Sequence, residues 1–135
     1  RAALDVLLRW PGVSGERVAI AGYSFGAAMI LEGFRRLKAA RAVALVAPTV
    51  QSIRNKRFQK DRRPRLVIAG RDDKLAPSLA IQRELDASRQ PPKFEELATA
   101  DHGMRGHEAE IGRVVADFVS RALTRTRPGP ISGGV

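Results

Sequence analysis

With 135 residues, 44% of them hydrophobic, the chain has the length of a single domain and enough apolar material for a core that needs no staples, which excludes a disordered polyelectrolyte despite a net charge of +10. The absence of cysteine excludes a disulfide framework, a thiolate metal site and a cysteine nucleophile. The longest apolar run, Ala42 to Pro48, is about a third of the ~20 residues that a membrane span needs, and no charged and apolar leader opens the chain, so neither a membrane segment nor a signal peptide is read and the cytoplasm is the expected location.

Leu4, Leu7 and Leu8 recur at helical spacing within Arg1 to Arg9, and Pro11-Gly12 ends that helix. Val18-Ala19-Ile20-Ala21 is apolar without alternation, the pattern of a parallel strand buried on both faces, and Gly22 begins a sharp turn. Phe25 to Leu37 is rich in helix formers, and Ala42 to Ala47 makes a second strand that Pro48 stops. From Val50 to Pro64 no periodicity stands out, so that stretch is expected to be a loop with at most one helical turn.

A third strand covers Arg65 to Ala69 and ends at Gly70. Pro77 suits the first turn of a helix that runs to about Ser88, with Ile81 and Leu85 on one face and Pro91-Pro92 beyond it. Lys93 to Ala98 forms a fourth, less apolar strand. After Gly106 comes the clearest helix, on which Ile111, Val114, Val115, Phe118, Val119 and Ala122 mark one stripe. Residues 1–123 are read as the domain and 124–135, rich in Pro and Gly, as a disordered tail. Strands alternating with helices define the class as α/β, a mostly parallel sheet with helices on both faces and right-handed crossovers. In such sheets the chemistry gathers just after the carboxyl ends of the strands.

Positive charge is densest at Arg54, Lys56, Arg57, Lys60, Arg62, Arg63 and Arg65, with Phe58 as the one aromatic inside the run. No interleaved aromatics or binding motif accompany it, so a solvated surface is expected and no nucleic-acid partner. After the first strand stands Gly22-Tyr23-Ser24-Phe25-Gly26, a GxSxG pattern between a strand and a helix, which is the context a nucleophile elbow requires. Ser24 would project its hydroxyl from a strained turn, Gly22 and Gly26 would remove side chains where strand and helix crowd, and the Phe25 amide would face a developing oxyanion at the helix N-terminus. The rival reading is a structural or anion-cradling turn.

A serine nucleophile needs a base, and the chain has two histidines. His102, in the loop after the fourth strand, is assigned that role. His107, near the start of the last helix, reads as solvated or capping. An orienting acid falls between them in chain order at Gly70-Arg71-Asp72-Asp73, where successive side chains at a strand end point to opposite sides, so either Asp73 or Asp72 faces His102. The competing role for either carboxylate is to cap the helix at Pro77.

The order Ser24, Asp73, His102, each after a strand, resembles the C-terminal part of an α/β-hydrolase, in particular the small lidless dienelactone-hydrolase-like and esterase-like members. The matching stretches are Gly-Tyr-Ser-Phe-Gly-Ala, the Gly-x-x-Asp-x-Leu-Ala-Pro run from Gly70 to Pro77, and Ala-Asp-His at 100–102 with Arg105-Gly106-His107 after it. They cover nearly everything from Leu4 to Leu123, and the resemblance favours Asp73 over Asp72. It also implies further strands before the first helix, one of whose loops supplies a second oxyanion donor. Arg1 is not an initiator Met, so the chain is expected to be a truncated product whose first strand is an exposed sheet edge.

Serine in place of the cysteine of dienelactone hydrolysis favours ester chemistry on a small-molecule substrate in an open pocket. No metal, organic cofactor or membrane is implied, and oligomeric state is not legible. The alternative reading is a non-catalytic module that docks to a partner through its free sheet edge.

Overall fold

The computed structural model describes residues 2–124. Helix α1 (Ala2–Leu7) precedes strand β1 (Ala19–Tyr23), helix α2 (Phe25–Glu32) and a turn of 3-10 helix (Phe34–Arg36). Strand β2 (Ala42–Val46) follows, then helices α3 (Val50–Ile53) and α4 (Lys56–Lys60), strand β3 (Arg65–Gly70), helix α5 (Ser78–Asp86), strand β4 (Lys93–Leu97) and helix α6 (Glu108–Thr124). The four strands form one parallel sheet in the order β1-β2-β3-β4.

Because successive residues of a strand face opposite sides, the two central strands feed two separate cores. Val43, Leu45, Val67 and Ala69 pack with Leu31, Phe34, Ile53, Phe58, Ile81 and Leu85 beneath α2 to α5. Ala44, Val46, Leu66 and Ile68 pack on the other face with Leu97, Met104 and Val114 of the β4 and α6 side. Every residue of β2 and β3 is buried, whereas β1 and β4 are partly exposed. The expectation that the first strand is buried on both faces is corrected, since Ala21 and Tyr23 are exposed, and, as an edge strand is expected to, β1 pairs with β2 alone among the described residues. Its apolar composition reflects a parallel strand, but one neighbour leaves a flank open.

β1 also runs on through Gly22 to Tyr23, so the sharp turn expected from Gly22 begins only after Tyr23, and three other stretches differ from the sequence reading. The helix expected to reach Leu37 ends at Glu32, where Gly33 turns the chain into the tighter 3-10 turn. Thr124 belongs to α6 rather than to a tail, and residues 125–135 of that expected disordered tail lie outside the described residues. The stretch expected to be a loop folds as α3 and α4. Thr49 Oγ1 accepts from the Ser52 amide at 3.2 Å, and Asn55 Oδ1 accepts from the amides of Arg57 and Phe58 at 3.0 and 3.1 Å, so each helix has its own N-cap. Each is about one turn long and drives one apolar side chain, Ile53 or Phe58, fully into the core, too short a pattern to show a period. Among the described residues no helix is long and apolar enough to cross a membrane.

Candidate active site

Between β1 and α2 the backbone of Ser24 adopts φ 47° and ψ −107°, a left-handed conformation that costs an L-residue about 1–3 kcal/mol and persists only where its surroundings enforce it. Enforcement comes from both sides. The Ser24 amide donates to the Val46 carbonyl at 2.8 Å, and the Ser24 carbonyl accepts from the Ala28 amide at 3.0 Å. A Cβ on Gly22 would lie 2.6 Å from Ile30 Cδ1, 2.7 Å from the Gly26 carbonyl carbon and 2.8 Å from the Ala27 nitrogen, so only glycine lets α2 start so close to β1. Gly26 does not share this role: a Cβ there meets nothing within 4 Å, which corrects the expectation for that residue. The Ser24 hydroxyl makes no cap to α2 and is left to project. The Phe25 amide opens α2, where amides lack helical acceptors, so it is an available donor beside Ser24.

After β3 the chain turns through Asp72 and Asp73. Asp72 is exposed, whereas Asp73 is 1% exposed and uses its two carboxylate oxygens differently. Oδ1 accepts from the Leu75 and Ala76 amides, both at 2.8 Å, and Oδ2 lies 2.8 Å from His102 Nδ1. The histidine contact falls to Asp73, whereas the rival reading of a cap on the helix at Pro77 is not met: α5 starts without a side-chain cap, and Asp73 Oδ1 holds the turn that precedes it.

His102 sits on a loop between β4 and α6 that is anchored by buried Ala100 and Met104. A Cβ on Gly70 would lie 2.2 Å from the Ala100 carbonyl oxygen, so the end of β3 and this loop touch backbone to backbone. The Asp72 amide donates to that same carbonyl at 3.1 Å. His102 Nε2 is 2.8 Å from Ser24 Oγ. With Nδ1 facing a carboxylate, the proton belongs on Nδ1, and Nε2 is the acceptor for the serine hydroxyl. The structure thus brings Ser24, His102 and Asp73 into one hydrogen-bonded chain. His107 stands apart, with Nδ1 3.2 Å from Glu110 Oε2 and Nε2 3.3 Å from Thr99 Oγ1.

Three further contacts have no signature in the sequence. The Tyr23 hydroxyl donates to the His102 main-chain carbonyl at 2.6 Å across 79 residues of chain. Glu96 on β4 accepts from Ser78 Oγ at the start of α5 and, at 2.9 Å, from Arg71 Nε just after β3, so it brackets the turn that carries Asp73. Those hydrogen bonds, Ser78 first and then Arg71, hold the Glu96 carboxyl below its ordinary pKa. Around the site Phe25 and Leu75 are 74% and 69% exposed, which leaves an apolar, open rim.

A model of the dienelactone hydrolase family matches residues 1–126. A search of curated proteins finds no match. Among solved structures, a lidless α/β serine hydrolase from Xanthomonas campestris aligns with a TM-score of 0.74 at 22% identity over 94% of this chain and 56% of its own. An α/β serine hydrolase homologue from Coxiella burnetii aligns at 0.70 and 21% identity over 89% of this chain and 55% of its own. An esterase from Pyrococcus furiosus aligns at 0.70 and 18% over 90% and 60%. The chain therefore spans little more than half the length of these structures, and at these identities the likeness is one of fold, the α/β-hydrolase fold.

Proposed function

The chain belongs to the dienelactone hydrolase family, and from that premise we propose that it is a serine hydrolase of esterase type, with Ser24 as nucleophile, His102 as general base and acid, and Asp73 orienting the imidazole. The observation that carries this reading is the unbroken relay from Ser24 Oγ to His102 at 2.8 Å and from His102 to Asp73 at 2.8 Å, built from the ends of β1, β3 and β4.

Ser24 Oγ attacks the acyl carbonyl as its proton passes to His102 Nε2, and charge collects on the carbonyl oxygen, toward which the Phe25 amide donates. Collapse of the tetrahedral centre breaks the bond to the leaving group, which takes the proton from His102. Water then adds to the acyl carbon, giving its proton to His102. The Ser24 Oγ to carbon bond breaks, the proton returns to Ser24, and a carboxylic acid leaves. Asp73 stays ionised throughout and stabilises the imidazolium that forms twice in the cycle.

Small soluble esters fit the surroundings best. Between β2 and β3, where a lid would be inserted, α3 and α4 turn Ile53 and Phe58 into the core instead of covering Ser24. The reading is tested by intact-mass detection of a fluorophosphonate adduct on this chain, beside Ser24→Ala and His102→Ala and with circular dichroism to check folding. One adduct on the wild type, lost in both variants, is expected. A folded wild type that takes up no adduct, in this chain and with upstream strands supplied, sinks the catalytic reading and leaves a non-catalytic docking module.

A further inference from the structure

We propose that Tyr23 is a positioning residue that keeps His102 seated over Ser24 while Ser24 carries the acyl group, a role that rests on the serine-hydrolase reading above. Before reaction His102 has three tethers: Ser24 Oγ at Nε2, Asp73 Oδ2 at Nδ1, and the Tyr23 hydroxyl at its main-chain carbonyl, at 2.8, 2.8 and 2.6 Å. Acylation removes the first, because an ester oxygen has no proton to donate to Nε2. Asp73 still holds the ring, but it belongs to the turn after β3 and fixes the imidazole relative to that strand. The acyl group sits on Ser24, at the end of β1. Tyr23 is the last residue of β1 and the neighbour of Ser24, so its hydroxyl is the tether that still joins the acylated strand end to the His102 loop.

The placement of Tyr23 has no explanation in packing. It is 47% exposed, and its ring stands 6.3 Å from the His102 ring at an interplanar angle of 32°, on the open side of the sheet and not in either core. Losing the hydroxyl would leave the His102 carbonyl within reach of water, so folding should hardly register the change. Catalysis would register it, because in deacylation His102 Nε2 must reach both an attacking water and the ester oxygen, and small displacements of a general base are costly.

The test compares Tyr23→Phe with the wild-type chain, using p-nitrophenyl acetate as the ester and a fluorophosphonate as a reagent that needs only the first step. Fluorophosphonate labelling and kcat/KM, which report acylation, should change by less than about twofold, while kcat falls by about tenfold and KM falls with it. Intact mass during turnover should show acetylated chain accumulating in Tyr23→Phe. Equal losses in labelling and turnover with no acetylated chain, or no loss in either, would overturn the role. Nitrogen-15 NMR of the imidazoles gives a second readout that needs no turnover, and with two histidines the spectrum is simple. His102 signals should move in Tyr23→Phe while those of His107 stay. A folded wild type left unlabelled, in this chain and with upstream strands supplied, would overturn the serine-hydrolase reading and the acyl-enzyme part of this role with it. Unmoved His102 signals would overturn the positioning by itself.

Discussion

The basic segment from Arg54 to Arg65 and the strand-end cluster of Ser24, Asp73 and His102 use polar side chains in opposite ways. In the segment, charge is dense and much of it is structural. Arg54 pairs with Glu84 at 2.7 Å, and Arg63 donates to the Leu37 and Ala40 carbonyls, both at 2.7 Å, while Asp61 neutralises it. Arg65, 5% exposed, donates to the carbonyls of Phe58, Gln59 and Gln90, with its guanidinium over the Phe58 ring and its pKa lowered by burial. At the strand ends three polar side chains, far apart in sequence, bind one another, and Asp73 alone of them also accepts from the amides of its own turn. Density of charge along a chain therefore says little about chemistry, since nearby carbonyls absorb it. Sparse residues that converge from separate strands say more.

The largest test of this contrast lies at Gly70. Its missing side chain lets the His102 loop rest on the end of β3, and an alanine Cβ would fall 2.2 Å from a main-chain oxygen that no rotamer change can move aside. Gly70→Ala is expected to cost about 3 kcal/mol or more in urea unfolding, at the upper end of overpacking penalties. It should also abolish fluorophosphonate labelling in whatever fraction stays folded, because Asp73 and His102 flank the displaced contact. A variant with normal stability and normal labelling would mean that the site does not depend on this backbone contact.

How much of this was legible in the sequence follows from the range of the interactions concerned. The strand-helix alternation, the elbow and the chain order of Ser24, Asp73 and His102 are local patterns, and the ends of the first and third strands announce themselves by a Gly after an apolar run, with Ser24 and Asp73 just beyond. Choosing Asp73 over Asp72 needed the family likeness, since one residue decides which side of the strand a carboxylate faces. The helices α3 and α4 were missed because their caps, Thr49 and Asn55, precede too few residues for a period to appear. The motif suggests a steric role for Gly26 that belongs to Gly22, because the pattern marks both glycines but not that a Cβ on Gly26, within α2 itself, meets open space. The Tyr23 bond to His102 and the Glu96 bracket connect residues with no shared motif, so only the folded chain reveals them.

Within the basic segment the contrast sharpens into a pair of variants. Arg65→Met keeps the volume but takes the charged donor from three carbonyls, of which that of Phe58 belongs to a buried residue while those of Gln59 and Gln90 keep the Ser88 hydroxyl, and a hydrogen bond to a charged group is worth about 1.5–3 kcal/mol. Part of that loss is offset because a buried cation whose Nε has no partner is also removed. A net loss of about 2 kcal/mol is expected in chemical denaturation. Arg57→Met, on the exposed face of α4, should stay within about 0.5 kcal/mol of wild type. Equal effects would mean that the segment acts as one field of charge and not as individual struts.

A smaller loss than at Arg65 is expected at Glu96, and its size depends on pH. Its folded pKa lies below the ordinary value, so its contribution to stability is complete above the unfolded carboxylate pKa and is lost as pH falls through the folded one. The side chain is 30% exposed and its partner Arg71 is 61% exposed, so solvent screens the pair and an effect of about 0.2–1 kcal/mol is expected. Glu96→Gln should therefore melt lower than wild type near neutral pH, and the gap should close in acid as wild-type Glu96 takes up its proton. Because Ser78 and Arg71 flank the Asp73 turn, the same loss should loosen the carboxylate side of the site while leaving the Ser24 elbow intact. A gap that stays constant from neutral pH into acid would show that Glu96 acts through its shape and not its charge. The bracket around Asp73 would then resemble the neutral contacts that hold Ser24 more than the ion pairs of the basic segment.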